Sequence, residues 1–286
     1  MTIDRDFLLK YKIPDVTQDL TPRDTILYAL GIGLGDEPTS AQQLRFLYEK
    51  ELLALPTMAT VLARQGSWMR NPDTGIDSDM VLHGEQGMTL HRPLPVSGRI
   101  RSQSRIIDII DKGSGRGAVF HQERLIYDEA GALLCTLRHV NFYIGGGGFG
   151  GPPAPTQQPA ITMPDRPPDL VDERRTLPQA ALIYRLSGDY EPMHIDPAVS
   201  AKQGFPRPIL HGLCTFGIAG YSLLSRCGDG DPSRFREMEG RFSAPIFPGE
   251  TVRTEIWKTP DGLRFRSKAA ERDVVVLDRG RAVIAN

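Results

Sequence analysis

Asp189 and His194 lie five residues apart in Ser187-Gly-Asp-Tyr-Glu-Pro-Met-His194, and a carboxylate and an imidazole so close can share one water. Together they can deprotonate that water and later return a proton. Shortly downstream, Pro206-Arg-Pro-Ile-Leu-His211-Gly212 opens a stretch that is apolar on nearly every side through Leu224, which predicts a helix wrapped by other elements. The first N–H groups of such a helix, near Gly212, have no partner inside it and attract a developing negative charge. Glycine there lets an oxygen approach the backbone. Base, proton donor and oxyanion donors are the parts needed to add water across a double bond conjugated to a thioester.

Plainer uses of the same residues exist. An Asp and a His at this spacing also serve as a turn cap and a core histidine. Asp189, His194 and Asp196 have the ligand chemistry for zinc or iron, yet no further ligand cluster with standard spacing accompanies them, so no metal is expected.

These residues need elements to hold them. A strand is expected over 180–186, leading to Ser187-Gly188-Asp189 at its end. Pro192 interrupts regular backbone bonding, and Asp196-Pro197 reads as the N-cap and first turn of a short helix stopping at Gly204, so His194 falls on a tight loop. Within the long helix, Gly212, Gly217, Ala219 and Gly220 keep the profile thin, and strands follow near 235–244, 251–259, 262–270 and 274–278.

The N-terminal half has the same grammar. Thr21-Pro22 starts one helix and a second is expected over 41–53, followed by strands over 87–94, 98–110, 117–127 and 133–144. Between the halves lie Gly145 to Gly148, Gly150, Gly151 and prolines 152, 153, 155, 159, 164, 167 and 168, a composition suited to a surface linker. The expected organisation is 1–145, a linker over 146–175, and 176–286, each half an α+β unit.

Bulk properties narrow the function classes. Of 286 residues, 40% are hydrophobic and the formal net charge is −1, so a core can be buried but no general footprint for nucleic acid or an anionic membrane exists. Three cysteines without paired spacing argue against a disulfide framework. The charged N-terminus lacks a signal-like apolar run, and no peroxisomal address ends the chain, so a cytoplasmic location is expected.

The segment from Tyr184-Arg-Leu-Ser-Gly-Asp189 through His194-Ile-Asp-Pro to Leu210-His-Gly-Leu-Cys-Thr-Phe-Gly217 resembles the hydratase 2 signature of the MaoC-like dehydratase family. Asp24 to Gly33, Leu82-His-Gly-Glu-Gln86, Arg92-Pro-Leu-Pro95 and Phe247-Pro-Gly-Glu-Thr251 extend the likeness over most of the chain. The resemblance implies a double hot-dog fold whose first half is catalytically silent but houses an acyl tail. It also implies cofactor-free, reversible hydration of a trans-2-enoyl-CoA to the (R)-3-hydroxyacyl-CoA, within fatty acid metabolism such as β-oxidation, by a homodimer. By that likeness Asp189 and His194 match the catalytic pair, and Gly212 matches the backbone oxyanion donor.

One residue departs from the family pattern. Glu191 stands where the family usually has Asn, and an ionised Glu can only accept hydrogen bonds. A second carboxylate there would tend to raise the pKa of one of the two. His211 is expected to position the helix start, and His83, also followed by Gly, to be structural. Arg207, Lys258, Arg236, Arg241, Arg266 and Lys268 are candidates for the phosphates of coenzyme A. Thioester hydrolysis on the same scaffold, and an acyl-CoA-binding subunit with a decayed site, are the alternatives to hydration.

Overall fold

A computed structural model describes residues 3–151 and 161–285; the prolines at 152, 153, 155 and 159 fall outside them. Its frame is one ten-stranded sheet built from β1 (Val16–Leu20), β2 (Val81–Leu90), β3 (Gly98–Asp111), β4 (Ala118–Tyr127), β5 (Leu133–Tyr143), β6 (Leu170–Arg175), β7 (Phe235–Phe242), β8 (Thr251–Thr259), β9 (Gly262–Ala269) and β10 (Val274–Ile284). The order is β1-β3-β4-β5-β2-β7-β10-β9-β8-β6. Read inward from each edge, the two five-stranded halves have the same order: the first strand at the edge, then the third, fourth and fifth, and the second at the centre. That repeat is the duplication the sequence pattern implied, and it meets the expectation of a double hot-dog. The halves join where β2 runs antiparallel to β7, with buried Met88 opposite buried Met238.

The helices are α1 (Arg5–Leu9), α2 (Pro22–Gly31), α3 (Ala41–Leu44), α4 (Ala180–Tyr184), α5 (Pro197–Lys202) and α6 (Gly212–Cys227). Every residue of α6 from Leu213 to Leu224 is buried, as its all-round apolarity predicted. Its small residues serve a specific contact. A Cβ on Gly217 would lie 2.8 Å from Ile32 Cγ2 and from the Tyr28 hydroxyl, and one on Gly220 would overlap Thr57 Cγ2. Ile32 directly follows α2 and Thr57 sits on a 3-10 turn (Pro56–Thr60), so the thin face of α6 seats the N-terminal half. Gly31 repeats the device: its missing Cβ would stand 3.3 Å from Tyr184 Cα, bringing α2 onto α4.

Several expectations need correction. Residues 180–186 form α4 and a 3-10 turn (Arg185–Ser187) rather than a strand, because Ala180, Ala181 and Tyr184 bury one helical face against α2. The helix expected over 41–53 ends at Leu44, after which the chain turns back and Glu51 takes a positive φ of 58°. The strand expected over 87–94 begins at Val81, and β10 continues past Asp278 through a bulge at Arg279 (φ 52°) to Ile284. The edge strands β1 and β6 are short and polar in sequence, and β6 lies within the segment read as linker.

The α6 contact is directly testable. Gly220→Ala should destabilise the protein by about 1–3 kcal/mol, the usual cost of overpacking a core. Urea unfolding should show a lower midpoint with an unchanged slope.

Candidate active site

The polypeptide reaches the site through two tight turns. After Arg185–Ser187, Gly188 adopts φ 105°, which reverses the chain and delivers Asp189, whose N–H donates to the Arg185 carbonyl. Pro192 at the first position of a second 3-10 turn (Pro192–His194) sets the backbone that buries His194 to 9% exposure. Asp196 caps α5, its Oδ1 accepting from the Ala198 and Val199 N–H groups, so its carboxylate is already engaged.

His194 Nδ1 lies 2.9 Å from the Ile209 carbonyl oxygen. A carbonyl only accepts, so Nδ1 carries the proton and Nε2 is left with a lone pair. His211, the N-cap residue of α6, stacks on His194 with ring centroids 3.7 Å apart, and its Nε2 donates to the Asp189 carbonyl at 3.1 Å. His211 therefore orients both members of the pair. Gly212 is the first residue of α6, and a Cβ there would come within 3.2 Å of the Phe242 ring. That ring packs edge-on against His83, which donates from Nε2 to the Glu85 carbonyl.

Two arginines absent from the sequence reading complete the site. Arg64 Nη1 lies 2.5 Å from Asp189 Oδ2, and Arg70 Nη2 reaches both carboxylate oxygens of Glu191 at 2.6 and 2.8 Å. Both come from the N-terminal half. Glu191 was the one hint available in the sequence, because an extra carboxylate beside a buried site calls for a counter-cation.

Electrostatics follow from these contacts. Burial acts to raise the Asp189 carboxyl, but the Arg64 guanidinium and the neighbouring His211 and His194 rings outweigh it and hold the group below the usual carboxylate range. The upward shift expected from Glu191 is therefore not what Asp189 experiences. Burial lowers His194, partly countered by its bond to the Ile209 carbonyl, and pulls His211 down to about 3, with His194 adding to the effect. At neutral pH the site thus combines an ionised Asp189 with neutral imidazoles.

Ligand atoms of Asp189, His194 and His211 lie within 4.8 Å of one another. The two rings are stacked with an interplanar angle of 28°, so their in-plane lone pairs do not converge, one nitrogen of each binds a carbonyl, and Arg64 already neutralises Asp189. This donor set suits proton transfer better than a cation. A cleft of about 270 Å³, lined in part by Leu27, Met58, Leu62, Arg64, Leu186 and Gly188, opens beside Asp189 and draws most of its wall from the N-terminal half.

Arg207, Lys258, Arg266 and Lys268 make their contacts outside this cluster. Arg207 is exposed, its guanidinium 4.8 Å over the Phe247 ring. Lys258, at the end of β8, binds Asp169 through its N–H and neighbours Cys227, at the far end of α6 from Gly212. Arg266 and Lys268 are paired with Asp278 and Asp273.

Buried neutral histidines make stability depend on pH. The folded-state pKa of His211 lies below its ordinary 6.5, so its contribution is complete above that value and is lost as pH falls toward about 3. The urea midpoint should therefore drop between pH 7 and pH 4.5, and His211→Asn should shrink that drop.

Comparison with known proteins agrees with the geometry. The family model described as MFE-2 hydratase 2 N-terminal domain matches residues 19–145, and that described as MaoC like domain matches residues 159–279. The chain is 38% identical to "Enoyl-CoA hydratase 2, peroxisomal" of Arabidopsis thaliana, over 95% of this chain and 93% of that protein. It is 40% identical to "3-hydroxyacyl-thioester dehydratase Y" of Mycobacterium tuberculosis, over 91% of each. It is also 38% identical to the "Peroxisomal multifunctional enzyme type 2" of Mus musculus, where it spans only 37% of the longer protein. Among solved structures, a MaoC-like dehydratase from Phytophthora capsici superposes with a TM-score of 0.86 at 33% identity, covering 98% of both chains. A Mycobacterium tuberculosis protein with a double hotdog fold matches at a TM-score of 0.57 and 16% identity, a likeness of fold alone. Among the described residues no helix is long and apolar enough to cross a membrane. With both halves matched in order and the Asp189–His194 pair assembled at the start of the buried helix, the chain belongs to the MaoC-like dehydratase family, in its hydratase 2 branch.

Proposed function

We propose that this protein is a cofactor-free lyase that reversibly hydrates a trans-2-enoyl-CoA to the (R)-3-hydroxyacyl-CoA. The observation that carries the reading is the juxtaposition of an ionised Asp189, a neutral His194 with a free Nε2 lone pair, and the amino end of α6, which no side chain caps. The relatives named enoyl-CoA hydratase 2 and 3-hydroxyacyl-thioester dehydratase support the same class of substrate.

In this reading the water sits between Asp189 and His194. His194 Nε2 removes its proton while Asp189 orients it, and the hydroxide adds to the β-carbon. Electron density moves to the thioester oxygen, where the Gly212 N–H and the amino end of α6 hold the enolate. A proton then returns to the α-carbon, and the reverse sequence expels water. The cleft beside Gly188 receives the acyl tail, which assigns the N-terminal half a binding role without chemistry. The three free cysteines suit a reducing compartment such as the cytoplasm.

The measurement is direct. Mixing the protein with enoyl-CoA thioesters of increasing size should abolish the absorbance of the conjugated bond without releasing free thiol. Asp189→Asn and His194→Gln should each lower kcat by roughly 10²–10⁴-fold, the usual weight of general acid–base catalysis. Thiol release in place of double-bond loss would make the protein a thioesterase, and normal ligand binding without turnover would mark a binding subunit.

A further inference from the structure

Arg64 and Arg70 stand six positions apart on one irregular segment of the N-terminal half, and Asp189 and Glu191 stand two apart on one loop of the C-terminal half. Each arginine takes one carboxylate. The outer pair is the more exposed, with Arg70 50% and Glu191 30% accessible, while Asp189 in the inner pair is 14% accessible. The segment is anchored from behind. The Ala63 N–H donates to the side chain of Gln18, and Ser102 Oγ donates to the Ala63 carbonyl, which fixes Arg64 to β1 and β3. Arg64 also lines the cleft that ends at Gly188.

We propose that Arg64 is a positioning residue of the active site, supplied by the silent half to hold the Asp189 carboxylate ionised and aimed, with the Arg70–Glu191 pair clamping its segment onto the catalytic loop. The proposal builds on the hydration reading and gives the N-terminal half a second duty besides housing the tail. It also gives Glu191 a task. In place of a side chain that donates beside the water, this loop carries an anchor for the opposite half.

The charge environment makes the claim specific. Asp189 faces Arg64 from the segment after Pro56–Thr60, His211 from the start of α6, His194 from its own loop, Tyr184 from α4 and His83 from β2. The imidazoles among these are neutral near pH 7, since burial lowers His83, His194 and His211. Arg124, fully buried and donating to the Thr60 carbonyl, adds positive charge further back but makes no contact with the carboxylate. Arg64 is thus the one permanent cation paired with Asp189 among the described residues. A carboxylate this buried and deprived of its cation would hold its proton to higher pH.

Arg64→Gln removes the charge and Arg64→Lys keeps it. Asp189 is followed by the carboxyl carbon of 13C-labelled aspartate, assigned by its disappearance in Asp189→Asn. The expected result is an Asp189 titration raised by about one unit or more in Arg64→Gln, since a neighbouring arginine lowers an aspartate by about 1–3 units. Arg64→Lys should restore most of the difference. The acid limb of kcat/KM for enoyl-CoA should move by the same amount, so Arg64→Gln loses about tenfold or more at low pH and much less at pH 8. An unmoved carboxyl titration would overturn the proposal, as would an equal loss at every pH that lysine fails to relieve. If the unaltered protein hydrates no enoyl-CoA, the hydration reading falls, while the carboxyl titration still decides the role of Arg64.

Discussion

The seat of the N-terminal half on the thin face of α6 is the constraint on which the rest of the molecule depends. Without side chains at Gly217 and Gly220, Tyr28, Ile32 and Thr57 approach the helix axis, and the two five-stranded halves close around a shared core. The β2–β7 pairing adds the backbone hydrogen bonds that make the sheet continuous. Close packing of this kind fixes the halves relative to one another because interiors tolerate little displacement. Ion pairs between the halves can then have defined geometry, which separately mobile units would not allow.

Chemistry in the site follows from burial and from what offsets it. Removing imidazoles from water keeps them neutral, as a proton acceptor must be, while removing a carboxylate from water works against the charge with which it would orient a water. Arg64 resolves that conflict at Asp189, and the carbonyls of Ile209 and Asp189 fix one nitrogen on each histidine. His211 links the parts: it begins α6, stacks on His194 and bonds the backbone of Asp189. The helix start, His194 and Asp189 are therefore tied to one another.

Much of this was legible in the linear sequence, and the misses have physical causes. The all-apolar run after Gly212, the turn glycines and prolines, and the alternating strands of each half are local signals, and β3, β4, β5, β7, β8, β9 and α6 appear within a few residues of expectation. The segment over 180–186 is helical where a strand is expected, because Ala-Ala-Leu-Ile-Tyr suits either a buried strand or a short helix, and only contact with α2 decides. The helix expected to continue to residue 53 stops because Phe46 and Leu47 turn into the core instead of extending a surface helix. Edge strands β1 and β6 are short, and polar residues fill most of their positions, so no apolar alternation marks them in the sequence.

By itself the sequence determined the residue types for proton transfer, their spacing on a punctuated loop, and a buried helix whose glycine start can receive an oxyanion. Those features are local, since each depends on neighbours within a few positions. Only the tertiary structure decided what charge surrounds Asp189 and what Glu191 pairs with. Arg70 and Glu191 are 121 residues apart in the chain, and a contact at that separation leaves no periodic or compositional trace. The loop carrying Asp189 and His194 belongs to one half, but the cation paired with its carboxylate belongs to the other, and folding alone brings them together.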